Sequence, residues 1–70
     1  MIESYEDSVA YLISNGWVAL NPGSYSKNGY EIVFDTSHYV ELYKNNGERK
    51  AECPIHSAQD IVQFLQANNL

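Results

Sequence analysis

The Asn46-Gly47 dipeptide lies between two runs in which apolar and polar residues alternate. No other feature limits so strongly what this chain can fold into. Asn-Gly in that setting favours a two-residue type I′ hairpin, because both central positions need positive φ. With Asn46 and Gly47 as the loop, Asn45 pairs with Glu48 and Lys44 with Arg49. Tyr43 then meets Lys50, Leu42 meets Ala51, Glu41 meets Glu52, and Val40 meets Cys53. Side chains alternate across a strand. One face therefore carries Val40, Leu42, Ala51 and Cys53, and the other Tyr39, Glu41, Tyr43, Lys50 and Glu52.

An earlier run, Tyr30 to Asp35, has the same alternation. A slip of one residue would flip every side chain to the wrong face. Matching apolar to apolar sets Phe34 opposite Val40 and Ile32 opposite Leu42. That parity demands an odd connection around Thr36-Ser37-His38, of about three or five residues. The buried face then holds Tyr30, Ile32, Phe34, Val40, Leu42, Ala51 and Cys53. Glu31, Val33, Asp35, Tyr39, Glu41, Tyr43 and Glu52 lie opposite, with Lys50 as the basic member, so that face is acidic and aromatic.

Helices flank this meander. Ser4 with Asp7 has the form of a capping box, and Tyr5, Val9, Leu12 and Ile13 recur at helical spacing. Asn15-Gly16 is a left-handed stop, giving a helix from Tyr5 to Ser14. Trp17-Val18-Ala19-Leu20 is a short strand whose parity is open: either Val18 and Leu20 point inward, or Trp17 and Ala19 do. Asn21-Pro22-Gly23 ends it as a turn. The polar, glycine-flanked stretch Gly23 to Gly29 is expected as a mobile loop with Tyr25 exposed on it. Past Cys53, Pro54 cannot donate to a ladder. Ser57 with Asp60 repeats the capping pattern, with Ile55 stapled to Ile61. Ala58, Ile61, Phe64, Leu65 and Asn68 mark the inner stripe of a second helix, Ala58 to Ala67. The order α-β-β-β-β-α, with one apolar stripe per helix and one apolar sheet face, gives an α+β two-layer sandwich. Both helices pack on one face of a four-stranded antiparallel meander. This order recurs in small phage and mobile-element proteins, a likeness of architecture without shared motif residues.

Seventy residues make a single domain, residues 1–70, whose core is barely large enough to fold alone. Nine acids against four bases leave a net charge of −5, which disfavours direct nucleic-acid or anionic-membrane binding. The plain reading of mild acidity is solubility; the sharper one is attraction to a basic partner. One cysteine allows no intrachain disulfide. With no signal-peptide pattern and no long apolar run, a reducing cytoplasm is the expectation.

Cys53-x-x-His56 with His38 is the metal-like constellation in the chain. Structural zinc sites usually show paired Cys or His spacings and four ligands, so Cys53 reads more simply as a small core residue and no metal or cofactor is assigned. The same residues offer a Cys-His nucleophile no electropositive setting. Glu41 and Glu52, directly opposed, resemble a glycosidase acid pair but read more simply as solvated carboxylates. Aromatics on an RNA-binding sheet need basic neighbours, whereas Tyr39 and Tyr43 stand among acids.

The expectation is a small, non-enzymatic protein-binding module. Tyr25, Val33, Tyr39 and Tyr43 would be its anchors, and Glu31, Asp35, Glu41 and Glu52 would steer it toward a basic surface. An inhibitor seated on the nucleic-acid site of a host protein fits, as anti-CRISPR or anti-restriction proteins do. The alternative is a homodimer joined through the same Tyr/Glu face.

Overall fold

Both helices stop on a left-handed residue. The computed structural model of the chain describes residues 3–70, with side chains from residue 5 onward. Helix α1 spans Glu3–Ser14 and α2 spans Ala58–Ala67. After α1, Gly16 takes φ 93°. Its N–H donates to Ile13 O at 3.2 Å, and the Trp17 N–H reaches back to Leu12 O at 3.0 Å. This is a Schellman turn, with Trp17 and Leu12 as its apolar pair, both buried. Asn69, at φ 61°, repeats it after α2, where the Leu70 N–H donates to Leu65 O at 2.8 Å.

Between the helices run β1 (Val18–Asn21), β2 (Ser24–Lys27), β3 (Tyr30–Thr36), β4 (Tyr39–Lys44) and β5 (Arg49–Pro54). They form one antiparallel sheet in the order β1-β2-β3-β4-β5. The helices cover one face of it, so the α+β two-layer sandwich stands, with five strands where four were expected. The extra strand is β2, which replaces the expected loop. Pro22-Gly23 turns the chain from β1 into it. Asn28-Gly29 turns it out again, with both residues at positive φ (52° and 83°), as a type I′ turn requires. Tyr25 is thereby paired with Ile32 and is only 5% exposed. Its ring stands edge-on to Phe34 at 6.1 Å, and Tyr5 of α1 meets the same ring at 5.0 Å. The expected surface anchor is a core residue.

The register of the last three strands follows the apolar matching. Phe34 faces Val40, Ile32 faces Leu42, Leu42 faces Ala51, and Val40 faces Cys53. The odd β3–β4 connection is built differently from a three- or five-residue loop. A two-residue turn, Ser37-His38, joins Thr36 to Tyr39, and a bulge at Asp35 supplies the extra residue that keeps the parity.

The core is Leu12, Trp17, Tyr25, Ile32, Val40, Leu42, Ile55, Ile61, Phe64 and Leu65. Trp17 faces inward, and Ala19 pairs with Tyr25 on the same side. Ile13 departs from its expected place in the inner stripe: it is 48% exposed. The buried line of α1 runs instead through Ser8 and Leu12, with Tyr5 and Val9 half-buried beside it. Residue 4 is already inside α1, and the side chain of Ser4, expected as its cap, lies outside the described residues. At α2 the Ser57 hydroxyl makes no capping bond; Asp60 Oδ2 accepts from the His56 N–H at 2.7 Å instead.

The helices run parallel, so their negative poles share one end of the molecule with the β2–β3 and β4–β5 turns. All four basic residues, Lys27, Lys44, Arg49 and Lys50, lie at that end. Lys27 Nζ donates to Asn15 O at 2.6 Å, and Lys50 Nζ to Asn68 O at 3.3 Å. Cations at helix C-termini offset the repulsion between two aligned dipoles.

Candidate functional site

The face that the helices leave open is built from rungs of paired residues. One rung is Ser24, Val33, Glu41 and Glu52; the next is Val18, Ser26, Glu31, Tyr43 and Arg49. Tyr39 extends the face toward the β3–β4 turn. Glu31, Val33, Tyr39, Glu41, Tyr43 and Glu52 therefore do share one side of the sheet. Asp35 sits exposed at the bulge on its rim, and Tyr25 is absent from it.

The basic member of this face is Arg49, not Lys50. Asn46 does not take positive φ, so the β4–β5 turn is not type I′. The Gly47 N–H donates to Lys44 O at 2.9 Å, and the Lys44 N–H to Glu48 O at 2.8 Å. Asn46 Oδ1 accepts from the Glu48 N–H at 2.9 Å, an Asx turn that favours this form. The loop is thus three residues, Asn45-Asn46-Gly47, with Gly47 at φ 90°. Arg49 consequently pairs with Tyr43, and a bulge at Lys50 restores the register at Ala51. Lys50 is carried to the helix side, 5.4 Å above the Tyr30 ring.

Arg49 joins the two opposed carboxylates. Its Nη1 lies 3.3 Å from Glu41 Oε2 and 3.1 Å from Glu52 Oε1. The Tyr43 hydroxyl donates to Glu41 Oε1 at 2.8 Å, and Tyr39 bonds to Glu52. Five side chains, Tyr39, Glu52, Arg49, Glu41 and Tyr43, make one network across β4 and β5. The guanidinium relieves the like-charge pairing of Glu41 with Glu52, although an exposed ion pair contributes only about 0–1 kcal/mol. On the other side of the face, Ser24, itself buried, donates its hydroxyl to Glu31 Oε2.

These contacts shift the phenols. Partial burial, then the bond to Glu52, pushes Tyr39 above the ordinary tyrosine range. The bond to Glu41 comes first for Tyr43 and acts in the same direction. Burial and the bond to Tyr5 raise Tyr25 as well. In each case the folded state holds the proton more tightly than the unfolded one. This stabilisation is complete below the unfolded value of about 10 and is lost as pH rises through the folded values. Thermal melts are expected to fall steeply as pH rises above about 9.5. A midpoint unchanged at pH 11 would contradict the network.

Shallow grooves open at the basic end of the face. One of about 320 Å³ is lined by Glu31, Val33, Tyr43, Lys44, Asn45 and Gly47. A second of about 290 Å³ shares Glu31 and Asn45 and reaches Leu20 and Ser26. Val18 and Leu20, which sequence reasoning did not place, thus extend the open face with apolar surface.

The Cys-His constellation does not assemble. Among the described residues no three His, Cys, Asp or Glu side chains are grouped to hold a metal ion. The Ile55 N–H donates to His38 O at 2.7 Å, so the backbones are close, but Cys53 packs against the core. Burial, then the nearby Asp60 carboxylate, raises its thiol pKa. Alkylation of Cys53 by iodoacetamide at pH 8 is expected to be several-fold slower in the folded chain than in urea. Equal rates would show an exposed thiolate.

No helix among the described residues is long and apolar enough to cross a membrane. No family model, curated protein or solved structure matches the chain.

Proposed function

We propose that this chain is a non-enzymatic protein-binding module whose open sheet face docks on a basic surface of its partner. The observation that carries this reading is the composition of that face. Both helices pack on the other side, leaving Val18, Leu20, Val33, Tyr39 and Tyr43 beside four carboxylates and one guanidinium. Tyrosines held by hydrogen bonds offer large contact area at low entropy cost. The surplus of carboxylates supplies long-range attraction to Lys and Arg. A protein surface that itself binds nucleic acid is the basic surface such a module meets most readily, so inhibition of a nucleic-acid-handling protein follows as the proposed activity.

The test is affinity capture with the tagged chain from lysate of its native cells, with and without nuclease, read by mass spectrometry. A stoichiometric, nuclease-resistant partner whose contact surface is basic supports the reading. Capture that disappears with nuclease, or a partner with an acidic contact surface, refutes it.

A further inference from the structure

Ile13, Val18 and Leu20 are the large hydrophobic side chains left exposed among the described residues, at 48%, 60% and 54%. All three fall where α1 hands over to β1. The sheet has two edges, and they differ in kind. The β5 edge carries Arg49, Lys50 and Glu52, has its bulge at Lys50, and ends in Pro54, which has no N–H to offer. Charges, bulges and proline are the means by which proteins block strand addition. The β1 edge is Val18-Ala19-Leu20-Asn21, uncharged and exposed at every residue. Its protection amounts to short length and a bulge near Leu20.

We propose that β1 is a self-association edge: two copies pair β1 to β1, antiparallel about a two-fold axis, and continue the sheet from one copy into the other. A second copy fits this edge for three reasons. First, the edge is self-complementary. With the axis near Ala19, Val18 of each copy meets Leu20 of the other, so apolar side chains face apolar ones across the new ladder. Second, the net charge of −5 does not oppose it. Glu41 and Glu52 lie three and four strands away, about 14 Å or more from β1 at ordinary strand spacing, beyond the screening length at physiological salt. A basic partner, by contrast, finds no carboxylate on β1. Third, the assembly closes. Pairing uses up both β1 edges, and the remaining β5 edges are blocked, so growth stops at a dimer.

Strands this short bury little area, so the dimer is expected to be weak and reversible, with Kd between about 10 μM and 1 mM. Sedimentation equilibrium across that range tests it, alongside amide NMR shifts of Val18, Ala19, Leu20 and Asn21 followed with concentration. The expected result is a reversible dimer with shifts confined to β1 and its flanks. Leu20→Lys and Val18→Lys, both at exposed positions, should each weaken it about ten-fold or more with unchanged circular dichroism. Tyr39→Ala on the open face should leave it intact. A chain that stays monomeric throughout overturns the proposal and leaves the edge to a strand from another protein. So does a dimer that survives both lysine variants but is lost in Tyr39→Ala, which would move self-association to the open face. The wild-type shift measurement decides the matter even if a variant fails to fold, and the docking of a partner on the acidic face is tested separately, by affinity capture with the wild-type chain.

Discussion

Replacing Trp17 by alanine is expected to remove about 3–5 kcal/mol of stability, a large share of what a chain of this length has. A domain of this length has a total stability of about 4–10 kcal/mol, and removal of a buried Trp side chain typically costs about 3–5 kcal/mol. Trp17 is only 2% exposed. It also closes the turn from α1 into β1, with its N–H on Leu12 O and its side chain in the same core cluster as Leu12. Loss of the ring therefore removes core volume and the apolar contact that fixes the direction of β1. The indole Nε1 is buried with no hydrogen-bond partner among the described residues. Trp17→Phe keeps one ring and removes that unpaired donor, so its cost should fall well below that of alanine. Urea denaturation followed by far-ultraviolet circular dichroism measures both. An alanine variant within about 1 kcal/mol of wild type would show that the core does not depend on this side chain.

Trp17 also shows where legibility from sequence ends. Its parity was open because Val18 and Leu20 are as apolar as Trp17 and Ala19, so alternation alone cannot choose a face. The register of β3, β4 and β5 was readable because a wrong parity would bury Glu31 or Glu41, a penalty large enough to leave one answer. Strand β2 was not, because Ser24-Tyr25-Ser26-Lys27 offers a single apolar residue and reads as loop. The signal that could have found it is Asn28-Gly29. The Asn-Gly rule applied to Asn46-Gly47 holds instead at Asn28-Gly29, where both residues take positive φ. At the second hairpin three candidate turn residues stand in a row, and the Asx bond from Asn46 selects the longer loop. One residue of loop length decides which of Arg49 and Lys50 faces the open side. The opposition of Glu41 and Glu52 was therefore legible, but the cation between them was not.

That cation makes the acidic face testable in two directions. Reversing Glu41→Lys and Glu52→Lys together is expected to weaken partner binding by about a hundred-fold, because like charges set against a basic surface cost several kcal/mol. It places two ammonium groups beside Arg49 and takes the hydrogen-bond acceptors away from Tyr39 and Tyr43. The Glu52 side chain is 43% exposed and its reversal should cost little stability, whereas Glu41, at 19%, is the costlier position, so circular dichroism and a thermal melt of the double variant accompany the binding measurement. Arg49→Gln acts in the opposite sense. It leaves four carboxylates with no guanidinium among them, so association with a basic partner should quicken, most of all at low salt. Calorimetric titration and stopped-flow association against the captured partner, at two ionic strengths, read both variants. Charge steering requires that they move in opposite directions and converge as salt rises. If the double reversal binds like wild type while Tyr39→Ala and Tyr43→Ala bind poorly, contact rests on the aromatic rings, and the carboxylates serve mainly to hold those rings in place.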